Sequence, residues 1–89
     1  MDNILIIHSR DNVGIALQAI AKGQPVVAGG TALFPTLEEI PASHKVALQD
    51  INAGEEIVKY GEPVAVSAQA ILKGQWVHTH NLESKILKK

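Results

Sequence analysis

The stretch LQDINAGEEIV, Leu48–Val58, belongs to a motif that occurs three times in this 89-residue chain. The other copies, LQAIAKGQPVV and AQAILKGQWVH, start at Leu17 and Ala68, so the three copies are unequally spaced. All three have Gln at the second position, Ile at the fourth, Gly at the seventh and Val or Ile at the tenth. The unequal spacing excludes a solenoid of fixed period. We interpret each copy as a corner, in which an Ile enters the core, a polar turn ends at Gly, and a strand leaves.

The rest of the pattern also favours many short strands. Short runs of Val, Ile, Leu and Ala are cut by Gly, Pro, Asn, Asp and Ser, which predicts a compact, strongly bent, mostly β domain over residues 1–82. Residues 83–89 are predicted to be a polar tail or the start of a linker, and Gly29-Gly30 a tight turn. A short helical turn in 13–20 is the alternative to a strand there. The predicted strands are Ile4–His8, Val13–Leu17, Gln24–Ala28, Thr31–Phe34, Lys45–Leu48, Glu56–Lys59, Pro63–Val66 and Trp76–Thr79.

Composition narrows the functional classes. A net charge of −1 and one residue each of Phe, Tyr and Trp argue against nucleic-acid binding. No apolar run reaches the roughly 20 residues of a membrane span, and the N-terminus does not read as a signal peptide. With no cysteine to crosslink it, we expect a cytoplasmic protein. A core this small also predicts stabilisation by a partner chain or a longer parent enzyme.

The segment WVHTHN, residues 76–81, carries the most suggestive chemistry. On an extended strand His78 and His80 point to the same face, where two imidazoles can share a metal ion or hold a carboxylate. Asn81 adds an amide donor and acceptor beside them. Two histidines do not complete a typical metal site of three or four ligands. The alternative is two solvated histidines near a frayed terminus.

His44-Lys45 follows Pro41 in a loop, and loops carry binding groups more often than core strands do. Lys45 could attract an anionic ligand by charge, and His44 could supply a hydrogen bond or a proton. The alternative is an ordinary exposed polar loop.

The remaining polar and aromatic positions have simpler interpretations. We predict that His8 ends the first strand with local hydrogen bonds and that Asp11-Asn12 forms a turn. Tyr60 could present its phenol to substrate or cover the core with its ring; we expect the ring to pack on the core and leave the role of the hydroxyl undecided. Trp76 is expected to pack in the core or at a partner interface. Asp50 is expected to cap its turn, and Glu38-Glu39 and Glu55-Glu56 to be solvated.

Four ordered segments carry a family resemblance: HSRDNVGIAL (8–17), IPASHKVALQDI (40–51), IVKYGEPV (57–64) and WVHTHN. Together they resemble the SAF domain, a β-clip fold, and in particular the small N-terminal domain or separate small subunit of the altronate/galactarate dehydratase family. Ser43 departs from the family's usual Gly before His-Lys, and would be strained if that position needs positive φ. The galactarate-type branch lacks the His-x-His, so His78 and His80 would mark a substrate subclass.

The resemblance implies a lyase that removes the proton α to a sugar-acid carboxylate and then the hydroxyl of the next carbon. It implies a divalent metal, iron or manganese, in the assembled enzyme, and a large catalytic subunit or C-terminal domain that completes the site. This chain alone is expected to be inactive, and whether it forms a homo-oligomer stays open. A non-catalytic β-clip binding or assembly module and a sulfolactate sulfo-lyase small subunit are the alternatives. The implied roles are catalysis for His44 and Lys45, substrate binding for His78, His80, Asn81 and Tyr60, and metal binding for His78, His80 and His8.

Overall fold

The fold is a set of short antiparallel strands. The computed structural model describes residues 1–83 and has no α-helix in that range. No helix among these residues is long and apolar enough to cross a membrane. The three sheets have the strand orders β1-β2-β5-β8, β3-β4 and β6-β7-β9, which confirms the mostly β prediction. The elements are β1 (Ile4–Leu5), β2 (Val13–Ala16), β3 (Pro25–Ala28), β4 (Thr31–Pro35), β5 (Lys45–Ala47), β6 (Glu56–Lys59), β7 (Glu62–Ser67), β8 (Trp76–Val77), a 3-10 helix (Thr79–Asn81) and β9 (Leu82–Glu83).

The three predicted corners are present, and the structure adds a fourth. Ile20, Ile51 and Ile71 are each 1% exposed, and the glycine three residues after each has positive φ. The fourth corner covers residues 37–47. Its core residue Ile40 is fully buried, and Ser43 takes the left-handed place of the glycine, with φ 70°. Ser43 is therefore strained as anticipated, because the left-handed region disfavours residues with a Cβ.

The fourth corner turns the irregular repeat into a regular duplication, with 17–47 as the first half and 48–78 as the second. Ile20 pairs with Ile40, and Ile51 with Ile71, each through two backbone hydrogen bonds of 2.7–2.9 Å. Each half also contains one hairpin, β3-β4 or β6-β7. Two cores form at largely equivalent positions of the halves, and each is completed by residues from outside its half. The first core consists of Ile4, Ala16, Ile20, Val26, Ile40 and Val46; the second consists of Val13, Ala47, Ile51, Ile57, Ala65, Ile71 and Val77.

Two Asp-Asn pairs, Asp2-Asn3 and Asp11-Asn12, attach the hairpins to the central sheet, and each Asn side chain bonds to the backbone of β3 or β6. Asp2 accepts hydrogen bonds from the N–H groups of Gly29 and Gly30 in the first hairpin turn. Asp11 accepts one from Gly61 N in the second turn and another from His8 N. Partial burial raises the pKa of Asp11, but backbone hydrogen bonds, led by that of Gly61, outweigh it and hold the pKa below its usual value. Asp11-Asn12 is thus more than the local turn that was predicted.

Several predicted strand boundaries were wrong. The first strand stops at Leu5, short of the predicted end at His8. Residues 13–16 form a strand and not a helical turn, because they are paired on both sides by β1 and β5. The last predicted strand ends at Val77, and β9 was not predicted. Of the predicted tail 83–89, Glu83 pairs with Val66 in β9, and the remainder lies outside the described residues.

Candidate functional site

The candidate site forms where the fourth-corner strand β5 meets β8. These strands are antiparallel neighbours, with Lys45 opposite Val77 and Val46 opposite Trp76. The pairing places His44-Lys45 against the segment that follows β8, which comes from the far end of the second half. The side chains that meet there form what we call the imidazole cluster: His44, Trp76, His78 and His80.

Ring contacts define the imidazole cluster. His78 stacks on Trp76, with centroids 5.3 Å apart and an interplanar angle of 9°. His44 lies 4.7 Å from His78 and 5.5 Å from Trp76, in tilted contacts. His80 lies 5.2 Å from Trp76. Three of the chain's four histidines therefore surround one indole.

A 3-10 helix, and not a strand, places His78 and His80. Asn81 is 2% exposed; its Oδ1 accepts a hydrogen bond from His78 N, and its Nδ2 donates one to Trp76 O. The expected shared face of a strand was wrong, because the Asn81 amide competes with sheet pairing for these backbone groups. The two imidazoles are brought together instead because both contact the Trp76 ring. Both polar groups of Asn81 serve this local structure, and its role in substrate binding stays a prediction.

Two further side-chain contacts position Trp76. Its backbone N–H donates to Glu38 Oε2 at 2.9 Å, so Glu38 is not the simply solvated residue that was predicted. Its indole Nε1–H donates to His44 Nδ1 at 3.1 Å. Trp76 is half-buried and packs against the first core, which confirms its predicted packing role in part.

The charged side chains that shift pKa values at the imidazole cluster are cationic. Burial lowers the pKa of Lys45, and the nearby Lys59 lowers it further. Partial desolvation lowers the pKa of His78 below 6.5, and His44, Lys45 and His80 add to the effect. These effects favour the neutral form of His78, and Lys45 lies close enough to contribute to them. This combination of a cation and imidazole donors suits an anionic ligand such as a carboxylate.

His8 and Tyr60 lie at the turn of the second hairpin. Tyr60 occupies the position that Gly29 has in the first half, with φ 59°, and its side chain is 54% exposed, so the prediction that it covers the core was wrong. Lys59 Nζ lies 5.0 Å from the Tyr60 ring centroid. The His8 ring packs on Gly61, where an added Cβ would come within 3.0 Å of it. His8 Nδ1 accepts a hydrogen bond from Arg10 N, as its predicted local role requires.

The described residues do not bring together enough ligands for a metal ion. In residues 1–83 no three His, Cys, Asp or Glu side chains form a group that could hold a metal ion. The Nδ1 atom of His44 is also already used by Trp76. This part of the chain therefore does not fit a complete metal site, since such sites need three or four ligands. The metal roles of His78, His80 and His8 stay predictions.

The comparisons with known proteins all indicate the same family. Residues 2–85 match the model of the altronate/galactarate dehydratase SAF domain. The chain is 37% identical over 86 residues to altronate dehydratase of Bacillus subtilis (97% of this chain, 17% of that protein). It is 40% identical over 75 residues to galactarate dehydratase (L-threo-forming) of Escherichia coli (80% and 13%). It is 29% identical over 87 residues to (2R)-sulfolactate sulfo-lyase subunit alpha of Chromohalobacter salexigens (90% and 93%). The chain thus spans 13–17% of the length of these dehydratases and 93% of that of the sulfo-lyase subunit.

Proposed function

Because this chain belongs to the altronate/galactarate dehydratase SAF domain family, we propose that it is the small subunit or N-terminal domain of an altronate-type sugar-acid dehydratase. In this role it supplies His44, Lys45, His78 and His80 to a site that a large catalytic partner completes. The observation that carries the proposal is the meeting of three imidazoles from distant parts of the chain around Trp76, with Lys45 in the adjoining strand.

The chemistry of dehydration fits this set of groups. A base removes the proton α to the carboxylate, the electron pair forms the enol double bond, and the β-hydroxyl leaves with a proton as water. Lys45 attracts the substrate carboxylate by charge, and His44 donates a hydrogen bond or proton to a substrate oxygen. His78 and His80 hold further oxygens of the substrate. Tyr60 would reach the same substrate from the hairpin turn.

The partner supplies what these residues lack. Two relatives carry this domain in dehydratases about six times its length, and a third is a separate subunit of similar length. The residues of the imidazole cluster are at most half-buried, so on their own they form a surface and not an enclosed site that excludes water. The iron or manganese ion implied by the resemblance would need ligands beyond residues 1–83.

The test is an assay of the chain with and without its large partner, which is either the neighbouring gene product or the rest of a parent enzyme. The substrates are altronate, galactarate and sulfolactate. We expect no turnover by the chain alone and dehydration of altronate by the assembled enzyme. Turnover by the isolated chain would refute the subunit role.

A sulfolactate sulfo-lyase small subunit is the second candidate. It is favoured by length, because the chain covers 93% of the Chromohalobacter subunit alpha, although at 29% identity. Release of sulfite from sulfolactate, without dehydration of either sugar acid, would select it. A purely binding or assembly role predicts instead that substitution of the histidines leaves the kinetics of the assembled enzyme unchanged.

A further inference from the structure

In three of the four corners, the side chain of the residue after the corner glycine stabilises the turn. In the fourth corner Ser43 stands in the place of that glycine. The side chains of Gln24, Glu55 and Gln75 turn back and accept a hydrogen bond from the backbone N–H three residues earlier. These bonds of 2.6–2.8 Å satisfy the N–H at the start of each turn. A side chain engaged in this way is not available for a ligand.

The fourth corner lacks this bond. The residue at the start of its turn is Pro41, which has no N–H, and the residue at the accepting position is His44. The backbone turn itself is retained, with His44 N donating to Pro41 O at 3.1 Å. Pro41 thus frees the imidazole of His44, and the ring turns instead to Trp76.

The Trp76 hydrogen bond determines which nitrogen of His44 carries the proton. An indole Nε1–H is only a donor, so the ring nitrogen that accepts from it must be unprotonated. Neutral His44 then carries its proton on Nε2. No residue in 1–83 hydrogen-bonds to His44 Nε2. Every buried side-chain nitrogen or oxygen in that range has a partner, so Nε2 is not buried there and faces solvent.

We propose that Trp76 is a positioning residue that holds His44 as the Nε2–H tautomer, so that the free edge of the imidazole is a donor and not an acceptor. The inference rests on the proposed function and sharpens it. His44 donates a hydrogen bond to a substrate oxygen, the carboxylate or the departing hydroxyl. Because its neutral ring carries only one proton, the acid that protonates the leaving hydroxyl and the base that takes the α-proton are other groups. Stacking of His78 on the same indole fixes the two imidazoles relative to each other.

The test is NMR of the full chain labelled with ¹⁵N. We expect a scalar coupling across the hydrogen bond between Trp76 Nε1 and His44 Nδ1, together with one-bond proton coupling at His44 Nε2. His80→Ala, which removes another neighbour of the indole, should keep both signals. Trp76→Phe retains a stacking ring without the donor, and His44 should then show averaged tautomers. A proton on Nδ1 in the wild-type chain, or a coupling to Nε2, would overturn the inference.

A kinetic comparison separates positioning from mere packing. In the assembled enzyme, Trp76→Phe should lower kcat about tenfold and leave KM within about twofold, because a misaligned donor weakens the transition state more than substrate binding. Unchanged kcat would refute the positioning role. The NMR result is read on the chain itself, so a missing coupling defeats this inference even if the dehydratase proposal holds. Failure to dehydrate any of the three acids defeats the proposed function whatever the coupling shows.

Discussion

Replacing Ser43 by Gly should stabilise the chain. Ser43 has φ 70°, whereas the equivalent residues of the other corners are glycines with φ 86–92°. A residue with a Cβ costs about 1–2 kcal/mol in this region, and Gly removes that strain. Gly also gives the unfolded chain more freedom, which lowers the stability by about 0.4–1 kcal/mol. The Ser43 hydroxyl makes no hydrogen bond within residues 1–83, and Ser43 N would still donate to Ala16 O. The net gain is about 0.5–1 kcal/mol, or about 2–8 °C in Tm.

Thermal and urea unfolding of the full chain measure this effect, with two matched variants. Ala42→Gly introduces Gly at the preceding exposed position, which does not have positive φ, and should cost about 0.4–1 kcal/mol. Gly54→Ser places Ser at the equivalent site of the corner that starts at Leu48, where a Cβ meets nothing within 4 Å, and should destabilise by about as much as Ser43→Gly stabilises. If Ser43→Gly lowered the stability as Ala42→Gly does, the strain argument would be refuted.

The corner glycines and the Asp-Asn attachments give two more predictions. Gly74→Ala should destabilise more than Gly54→Ala, by at least about 1 kcal/mol in urea unfolding, because a Cβ at Gly74 would lie 2.8 Å from Pro35 O; equal losses would contradict the packing argument. Asp11→Asn should lower Tm at pH 7. The folded state lowers the pKa of the Asp11 carboxyl, so the ionised group stabilises the fold at pH values above the unfolded-state pKa near 3.8. This contribution is lost as the pH falls through the folded-state pKa. Thermal unfolding between pH 2 and 7 should therefore show the difference from wild type narrow with acidification, and a constant gap would rule out linkage.

Local rules account for what the sequence predicted about the fold. An Ile that must be buried and a Gly with positive φ recur at fixed spacing, so three corners were visible in the chain. The fourth corner was hidden because Ser43 stands in the glycine position and Glu38 in the Gln position. An alignment of 17–47 with 48–78 would have revealed it. The last strand was overextended because a side chain, Asn81, decides the backbone there.

The sequence indicated which residues could form the site, but not how their side chains are arranged. His44, Lys45, His78 and His80 were chosen from the sequence, and the structure brings them together through the pairing of β5 with β8. The Trp76 bond to His44 and the Glu38 bond to Trp76 depend on the register of segments that lie far apart in the chain. No local pattern specifies that register. The absence of an N–H at Pro41 was a usable signal once the four corners could be compared.

The most direct test of the account is the activity of the assembled enzyme when the chain carries both His78→Ala and His80→Ala. The large partner is kept wild type, co-purification verifies assembly, and Lys22→Ala, an exposed change in the first corner, is the control. Loss of two hydrogen bonds to a charged substrate should lower kcat/KM for altronate about 100-fold or more, while the control stays at the wild-type value. An assembled double variant with unchanged kcat/KM would contradict the claim that this chain supplies part of the site.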